Sequence, residues 1–98
     1  MDSYKVYSIT NKISGRTYVG STYRSVDIRW KEHCLPSSIK DLSKDIKYFG
    51  VSNFEFKVLE EVSPNKVMGA EKKWMLRLKS LKSMGGYNSY LGFFKVFL

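Results

Sequence analysis

The sequence predicts a small α+β domain whose elements follow the order ββααβα. Two segments of strand character precede two segments of helical periodicity, and a third strand-like segment precedes a last helical one. A length of 98 residues supports a single domain spanning residues 1–98. Hydrophobic residues make up 43% of the chain and aromatic residues 15%, which is enough to fill a core and excludes intrinsic disorder.

The strands are predicted from residue type and alternation. Residues 4–10 and 16–21 are rich in aromatic and β-branched residues, and residues 11–15 between them contain turn formers, so these segments predict a β-hairpin. Residues 54–62 alternate between apolar and charged side chains, which predicts a third strand with one buried face. The apolar residues of that alternation are Phe54, Phe56 and Val58.

Two helices are predicted between the second and third strands. The first covers residues 26–34, with Ser25 as its cap, and Pro36 ends it. Ser37 or Ser38 can cap the second helix, which is the most clearly amphipathic segment of the chain. Its apolar face consists of Ile39, Leu42, Ile46 and Phe49.

A last helix is predicted over residues 64–79. Ser63 stands at its cap position and Pro64 at its first helical position, where the missing N–H is tolerated. The two glycines at 85–86 predict a turn. Residues 93–98 are apolar, and they are interpreted either as a short edge strand or as the place where a longer protein has been cut.

The charge distribution indicates a polyanionic partner. The net charge is +8. Residues 1–64 contribute +2, whereas residues 65–98 contribute +6, from seven basic residues and one acidic residue. A positive surface of this kind suits nucleic acid or an anionic membrane, although a soluble domain can also carry one without a partner. The basic residues predicted to contact phosphates are Lys66, Lys72, Lys73, Arg77, Lys79 and Lys82.

Several classes of protein are excluded by what the sequence lacks. Cys34 is the only cysteine and His33 the only histidine, so neither a disulfide scaffold nor a zinc site built from cysteine and histidine can form. No apolar run approaches the roughly 20 residues that a membrane span requires, and no signal peptide is recognisable. The protein is therefore expected not to be secreted. It is expected to act inside the cell, in the cytoplasm, nucleoid or nucleus, without a membrane partner.

Glu71 is an unusual residue in the last predicted helix. Helical spacing places it on one stripe with Val67, Trp74 and Leu78, so its carboxylate faces the apolar side. An unpaired buried charge is costly. Glu71 is therefore expected to lie at the edge of the core, to pair with a cation or to bind a metal ion, and the spacing alone does not choose between an ion pair and a metal.

Two further pairs of residues could carry chemistry. Arg29 and His33 are four residues apart and share one helix face, where a guanidinium can hold phosphate and an imidazole can relay a proton. If the hairpin register is centred between residues 12 and 13, Tyr7 and Tyr18 stand directly opposite each other on one face. Either tyrosine alone is more simply explained by packing.

Taken together, these residues resemble the GIY-YIG nuclease family. The KVY sequence at 5–7 stands where the family has GIY, with Lys5 in place of its glycine, and the YVG sequence at 18–20 stands where it has YIG. Residues 29–33 resemble the RWxxH helix of the family. Glu71 and residues 86–88 resemble most closely the catalytic domains of phage intron-encoded homing endonucleases. The resemblance covers about residues 4–90.

The resemblance implies a fold and an activity. The fold is a small three-stranded antiparallel sheet flanked by helices, and the activity is metal-dependent hydrolysis of DNA phosphodiester bonds. Tyr7 would handle the attacking water with help from His33 and Tyr18, and Arg29 would hold the phosphate. Glu71 would bind one Mg²⁺ or Mn²⁺ ion. The implied site residues are Tyr7, Tyr18, Arg29, His33, Glu71 and Asn88, with Gly20 allowing close passage of the chain.

Two other functions stay open at this stage: a non-catalytic nucleic-acid-binding module of the same fold, and an assembly module of a larger protein. Few residues are left over for reading bases, because the predicted elements are already committed to the sheet and the site. Target choice is therefore expected to come from a protein partner, from dimerisation, from a missing DNA-recognition domain or from DNA structure. A homing, restriction or repair role and the oligomeric state are left open by the sequence.

Overall fold

The computed structural model describes residues 3–34 and 39–89, and in these residues the elements follow the predicted order ββααβα. Short 3₁₀ turns precede β3 and α3, and another follows α3. Pro36, Ser37, Ser38 and residues 93–98, on which predictions were made, lie outside the described residues. The strands and α-helices are β1 (Tyr4–Asn11), β2 (Thr17–Thr22), α1 (Val26–His33), α2 (Lys40–Phe49), β3 (Phe54–Val62) and α3 (Val67–Arg77).

The sheet has the strand order β2-β1-β3, and both pairings are antiparallel. The predicted three-stranded antiparallel sheet with flanking helices is therefore confirmed. The central strand β1 is hydrogen-bonded along both edges, so it is the element against which the rest of the domain is placed.

The predicted hairpin register was wrong by two residues. Tyr7 pairs with Gly20, and Tyr18 pairs with Ile9, so the two tyrosines are diagonal neighbours. The loop is shifted because the Asn11 side chain accepts hydrogen bonds from the backbone N–H groups of residues 13 and 14, and Gly15 has a φ of 82°. A shift of two residues leaves both tyrosines on the same face, because strand side chains alternate with a period of two.

The two faces of the sheet are both covered. The face that carries Tyr7, Ile9 and Tyr18, here called the tyrosine face, packs against Leu42 and Ile46 of α2. The opposite face, here called the α3 face, presents Val6 and Val19 of β1 and β2 to Ala70 and Met75 of α3. Burial of each large apolar side chain stabilises the fold by about 1.5 to 3 kcal/mol.

A β-bulge changes the buried face of β3. Val6 pairs with Glu60 while Tyr7 pairs with Val58, which leaves Leu59 as an extra residue. As predicted, Phe54 is buried and Phe56 packs against the core of the tyrosine face. Val58 was predicted to be buried with them, but it is 44% exposed, because it lies outside the cluster of side chains that covers Phe54 and Phe56.

The helix boundaries follow local backbone chemistry. Ser25 occupies the N-cap position of α1 without a side-chain cap, and its carbonyl accepts a hydrogen bond from the Arg29 N–H at 3.1 Å. The predicted helix over residues 64–79 is divided into the 3₁₀ turn Pro64–Lys66 and α3, which ends at Arg77. It ends early because Lys79 is left-handed, with a φ of 54°. No helix in the described ranges is long and apolar enough to cross a membrane.

The segment after α3 closes the outer edge of β2. The Tyr87 N–H donates to the Thr17 carbonyl at 3.0 Å, and the Asn88 N–H donates to the Ser80 carbonyl at 2.8 Å. Gly86 makes this path sterically feasible, because a Cβ there would lie 2.1 Å from the Ser80 carbonyl oxygen. The predicted turn at 85–86 is confirmed, and Gly85 has a φ of 94°.

Replacing Gly86 by Ala is expected to lower the unfolding free energy by more than about 2 kcal/mol, because the new methyl group collides with backbone that cannot rotate away. Gly85→Ala is the matched comparison, because its Cβ meets open space and only the positive φ is unfavourable, at about 1 kcal/mol. Urea unfolding of both variants gives the difference. Equal losses would mean that residues 80–88 do not pack as described.

Candidate active site

The Tyr7 hydroxyl group lies at the centre of a buried polar cluster. His33 Nε2 is hydrogen-bonded to it at 2.8 Å, and Arg29 Nε donates a hydrogen bond to it at 3.2 Å. One residue comes from the central strand and two come from one face of α1. The prediction that Arg29 and His33 share one helix face is therefore confirmed.

His33 packs between the two tyrosines of the tyrosine face. Its ring centroid is 5.7 Å from that of Tyr7 and 5.4 Å from that of Tyr18, with edge-to-face geometry in both pairs. The tyrosine ring centroids are 6.4 Å apart. Phe56 stacks on Tyr7 at 4.8 Å, so the ring that carries the central hydroxyl is fixed by aromatic packing.

Gly20 leaves the space that the tyrosines occupy. A Cβ at this position would lie 2.6 Å from the Tyr7 hydroxyl oxygen and 2.8 Å from Cε2 of Tyr18. Real Cβ atoms do not approach other atoms so closely, and both rings are held by packing. The predicted role of Gly20, close passage of the chain beside the site, agrees with this contact.

Burial makes both tyrosines weaker acids. Desolvation raises the pKa of Tyr7 to about 12, although the neighbouring Arg29 cation acts in the opposite direction. Desolvation is also the main reason that the pKa of Tyr18 is raised. Neither phenol is ionised near neutral pH, so any proton that leaves Tyr7 must pass to a specific acceptor.

His33, the hydrogen-bond partner of the Tyr7 hydroxyl group, is also buried. Its side chain is 1% exposed, and desolvation together with the Arg29 charge lowers its pKa to about 4. The imidazole is therefore neutral near pH 7 and has a lone pair to offer. Its Nδ1 atom is buried and has no hydrogen-bond partner within residues 3–34 and 39–89.

Glu71 lies where α3 meets the edge strand β2. It is half-buried, and its carboxylate accepts a hydrogen bond from the Ser21 hydroxyl group. Its helical stripe with Val67, Trp74 and Leu78 is confirmed, since all four side chains are half-buried beside the core of the α3 face. The predicted position at the edge of the core is therefore observed.

Within the described residues, Glu71 has no neighbouring cation to offset its charge. No Lys, Arg or His of the described residues lies within ion-pair distance of it, so the ion-pair alternative finds no partner there. Burial is the main reason that the pKa of Tyr7 is raised, and Arg29 opposes it. The negative charge of Glu71 adds a smaller increase. Glu71 is thus electrostatically coupled to the Tyr7 cluster.

Asn88 acts on the backbone of β2. Its Oδ1 atom accepts a hydrogen bond from the Val19 N–H at 2.8 Å, and its Nδ2 donates to the Val19 carbonyl at 2.9 Å. The side chain thereby replaces one pair of ladder hydrogen bonds at the sheet edge. Val19 lies between Tyr18 and Gly20, so Asn88 positions both of them and has no hydrogen bond to the Tyr7 hydroxyl.

Lys5, the departure from the family motif, fits a regular strand. It pairs with Thr22 of β2 and Glu61 of β3, and its φ is not positive. Its Nζ atom lies 3.5 Å from the Glu61 carboxylate. The glycine of the motif is therefore not required for backbone conformation in this chain.

The predicted phosphate contacts are exposed but lie apart from the Tyr7 cluster. All six basic residues are solvent-exposed, and three of them, Lys72, Lys73 and Arg77, belong to α3, which covers the opposite face of the sheet. Lys73 pairs with Glu60 at 2.8 Å, and Lys82 pairs with Asp41 at 3.1 Å. Arg77 stacks over the Trp74 ring at 5.0 Å. The structure does not bring this group together with Arg29.

Sequence analysis missed three residues beside the site. Glu32 accepts hydrogen bonds from Arg24 at 2.7 Å and from Arg29 at 3.0 Å, and Ser21 donates to Glu71. The three-residue spacing of Arg29 and Glu32 on one helix is a signal that could have identified Glu32. Arg24 and Ser21 depend on tertiary placement and carry no local signal.

The described residues offer few metal ligands. No group of three or more His, Cys, Asp or Glu side chains in residues 3–34 and 39–89 is placed to hold a metal ion. A metal at Glu71 would therefore rest on one carboxylate. Mg²⁺ suits such a site, because it commonly keeps several waters and adds substrate phosphate oxygens to one or two protein carboxylates.

Known proteins share this fold. The family model of the GIY-YIG catalytic domain matches residues 3–88. A glutamate-to-alanine mutant of the catalytic domain of intron endonuclease I-TevI has a TM-score of 0.75 and 28% identity, over 92% of this chain and 95% of that one. The catalytic domain of homing endonuclease I-TevI has a TM-score of 0.75 and 26% sequence identity, over 89% of this chain and 98% of that one. No curated protein sequence matches significantly.

Acidification is expected to destabilise the fold through His33. The unfolded chain takes up the imidazole proton near pH 6.5, whereas the folded protein does so only near pH 4. The contribution of His33 to the unfolding free energy is therefore fully present above pH 6.5. It is lost as the pH falls to about 4, and the total loss is on the order of 2 to 3 kcal/mol.

Urea unfolding between pH 7 and pH 4, compared with His33→Gln, isolates this contribution. Glutamine can still accept a hydrogen bond from Tyr7 but does not titrate, so the stability of the variant should depend less steeply on pH. Identical slopes for the two proteins would show that His33 titrates normally in the fold.

Proposed function

The chain belongs to the GIY-YIG family of nuclease domains, and we propose that it is a DNA endonuclease that hydrolyses phosphodiester bonds with one divalent metal ion bound by Glu71. The observation that carries the proposal is the buried contact of the Tyr7 hydroxyl with both His33 and Arg29. A phenol with a neutral base on one side and a guanidinium on the other is suited to proton transfer beside an anionic substrate.

Tyr7 is proposed to activate water as part of a relay. Arg29 already donates to the phenol oxygen, so the phenol hydrogen is directed to His33 Nε2, which requires the imidazole to carry its own hydrogen on Nδ1. As water attacks phosphorus, its proton passes to the Tyr7 oxygen while the phenol proton passes to His33. The raised pKa of Tyr7 disfavours a free phenolate, and a concerted relay does not need one.

Arg29 is proposed to hold the scissile phosphate. Its side chain is 28% exposed, and its Nε and Nη1 atoms contact Tyr7 and Glu32, which leaves other N–H donors for a ligand. A guanidinium beside the attacked phosphate offsets the charge that develops on its oxygens. The Arg29 cation also lowers the pKa of the Tyr7 hydroxyl group, which burial raises.

Glu71 is proposed to hold one Mg²⁺ or Mn²⁺ ion. A half-buried carboxylate with only a hydroxyl partner among the described residues is available as a ligand. The bound ion would stabilise the negative charge of the leaving 3′ oxygen. Tyr18 and Asn88 are proposed to position this machinery, Tyr18 through the ring of His33 and Asn88 through the backbone of β2.

DNA is the proposed substrate, and the exposed basic residues of α3 and the following turn are proposed to add contacts that do not depend on sequence. Those that also hold intramolecular partners, Lys73 and Lys82, would have to exchange a carboxylate for a phosphate. Such contacts weaken as the salt concentration rises. Target choice would then depend on a partner, a further domain or DNA structure.

Incubation with supercoiled plasmid tests the function directly. Nicked and linear products should appear with Mg²⁺ or Mn²⁺ and not with EDTA. Binding without nicking under any of these conditions would favour the non-catalytic module of the same fold instead. Absence of both binding and nicking would contradict the proposal and leave an assembly role.

Tyr7→Phe is expected to reduce the nicking rate by about 100-fold or more, because the ring and its packing remain while the relay oxygen is lost. Tyr48→Phe is the matched control, since that hydroxyl belongs to a side chain that is 80% exposed. Single-turnover rates and melting temperatures should be measured for both. Near-normal cleavage by Tyr7→Phe would mean that His33 or another group activates the water.

Glu71→Gln is expected to abolish cleavage while leaving the fold and DNA binding largely intact. The amide keeps the size of the side chain and can still accept a hydrogen bond from Ser21, but it is a poor ligand for Mg²⁺. Glu55→Gln, on the exposed side of β3, removes the same charge as a control. If Glu71→Gln unfolds but its folded fraction cuts normally, Glu71 is structural.

A further inference from the structure

We propose that Arg24 is a second phosphate-binding residue beside Arg29, and that Glu32 holds the two guanidinium groups together in the DNA-free protein. This inference rests on the proposed function, since it describes how the same site receives a DNA backbone. It assigns to Arg24 and Glu32 roles in positioning substrate that the family motifs do not include.

The first observation is that one carboxylate oxygen bridges both arginines. Oε1 of Glu32 accepts from Arg24 Nη2 at 2.7 Å and from Arg29 Nη1 at 3.0 Å. Since both bonds end on the same atom, the two cations necessarily lie close together. The guanidinium of Arg29 also donates to the Tyr7 hydroxyl, so the pair is attached directly to the proposed relay.

The second observation is that Arg24 is fixed at its backbone. Its N–H donates to Thr22 Oγ1 at 3.0 Å, and Thr22 is a buried residue of β2 that pairs with Lys5. The side chain is 46% exposed and, among the described residues, donates a hydrogen bond to Glu32 alone. A guanidinium has five N–H donors in a planar fork, so Arg24 retains donors for an anion from solvent.

Electrostatics favours replacement of the Glu32 carboxylate by a phosphate between the two guanidinium groups. Two guanidinium groups held close repel each other, and the Glu32 carboxylate offsets only one of the two charges. The carboxylate is itself 36% exposed, and an ion pair so exposed contributes little net stability. A phosphate can therefore share or replace the bridge, because arginine pairs with phosphate in bidentate geometry.

A purely structural bridge would give a different result. In that case loss of Arg24 would alter stability and leave the salt dependence of DNA binding unchanged. A phosphate contact instead contributes a slope of about −0.9 to the dependence of log K on log salt. Salt titration therefore distinguishes the two roles.

The experiment measures binding of a fluorescent DNA duplex in EDTA by anisotropy, across a range of salt concentrations. Arg24→Gln should weaken binding about fivefold near 0.15 M salt and reduce the slope by about one, which is the share of one phosphate. Arg24→Lys should restore most of the slope. Glu32→Gln should bind several-fold more tightly, because the competing charge is gone.

Lys12→Gln serves as the charge-matched control, since it removes one positive charge from the exposed turn of the hairpin. It should change binding much less than Arg24→Gln. Equal effects of these two variants, or an unchanged slope in Arg24→Gln, would overturn the inference while leaving the proposed function in place. Failure of the unaltered protein to bind or nick DNA would overturn both.

Discussion

The contact between Tyr7 and His33 is the interaction on which the rest of the site depends. It joins the central strand to α1 inside the core, at 2.8 Å, and so fixes where Arg29 on the same helix can reach. Gly20 must lack a side chain for the same reason, because the Tyr7 hydroxyl occupies the space that a Cβ would fill. Asn88 supports this packing from outside by holding the edge strand in place.

Burial of this contact determines its chemistry. Removal from water raises the pKa of Tyr7 and lowers that of His33, so both groups are held in their neutral forms near pH 7. In the proposed relay Tyr7 stays neutral, whereas His33 takes up a proton and becomes an imidazolium, whose burial is costly unless a nearby negative charge offsets it. Beside this larger effect of burial, Arg29 lowers the pKa of Tyr7 and Glu71 raises it, so the two charges act on the phenol in opposite directions.

Much of this arrangement could be predicted from local sequence, since strand alternation, helical spacing and the Tyr7, Tyr18, Arg29 and His33 motifs are local signals. The features that were missed arise from the backbone or from tertiary placement. A side chain in the turn moved the hairpin register by two residues, and Val58, beside a bulge, lies outside the buried cluster. The predicted basic residues are exposed, and three of them, Lys72, Lys73 and Arg77, lie on α3, which covers the opposite face of the sheet.

The central claim is that neutral His33 accepts a hydrogen bond from the Tyr7 hydroxyl group through Nε2. His33 is the only histidine, so ¹⁵N NMR of the imidazole reports on it without ambiguity. At pH 7 the account predicts an unprotonated Nε2 with the shift of a hydrogen-bond acceptor, a hydrogen on Nδ1, and titration only near pH 4. A hydrogen on Nε2 at pH 7, or an imidazolium, would contradict it.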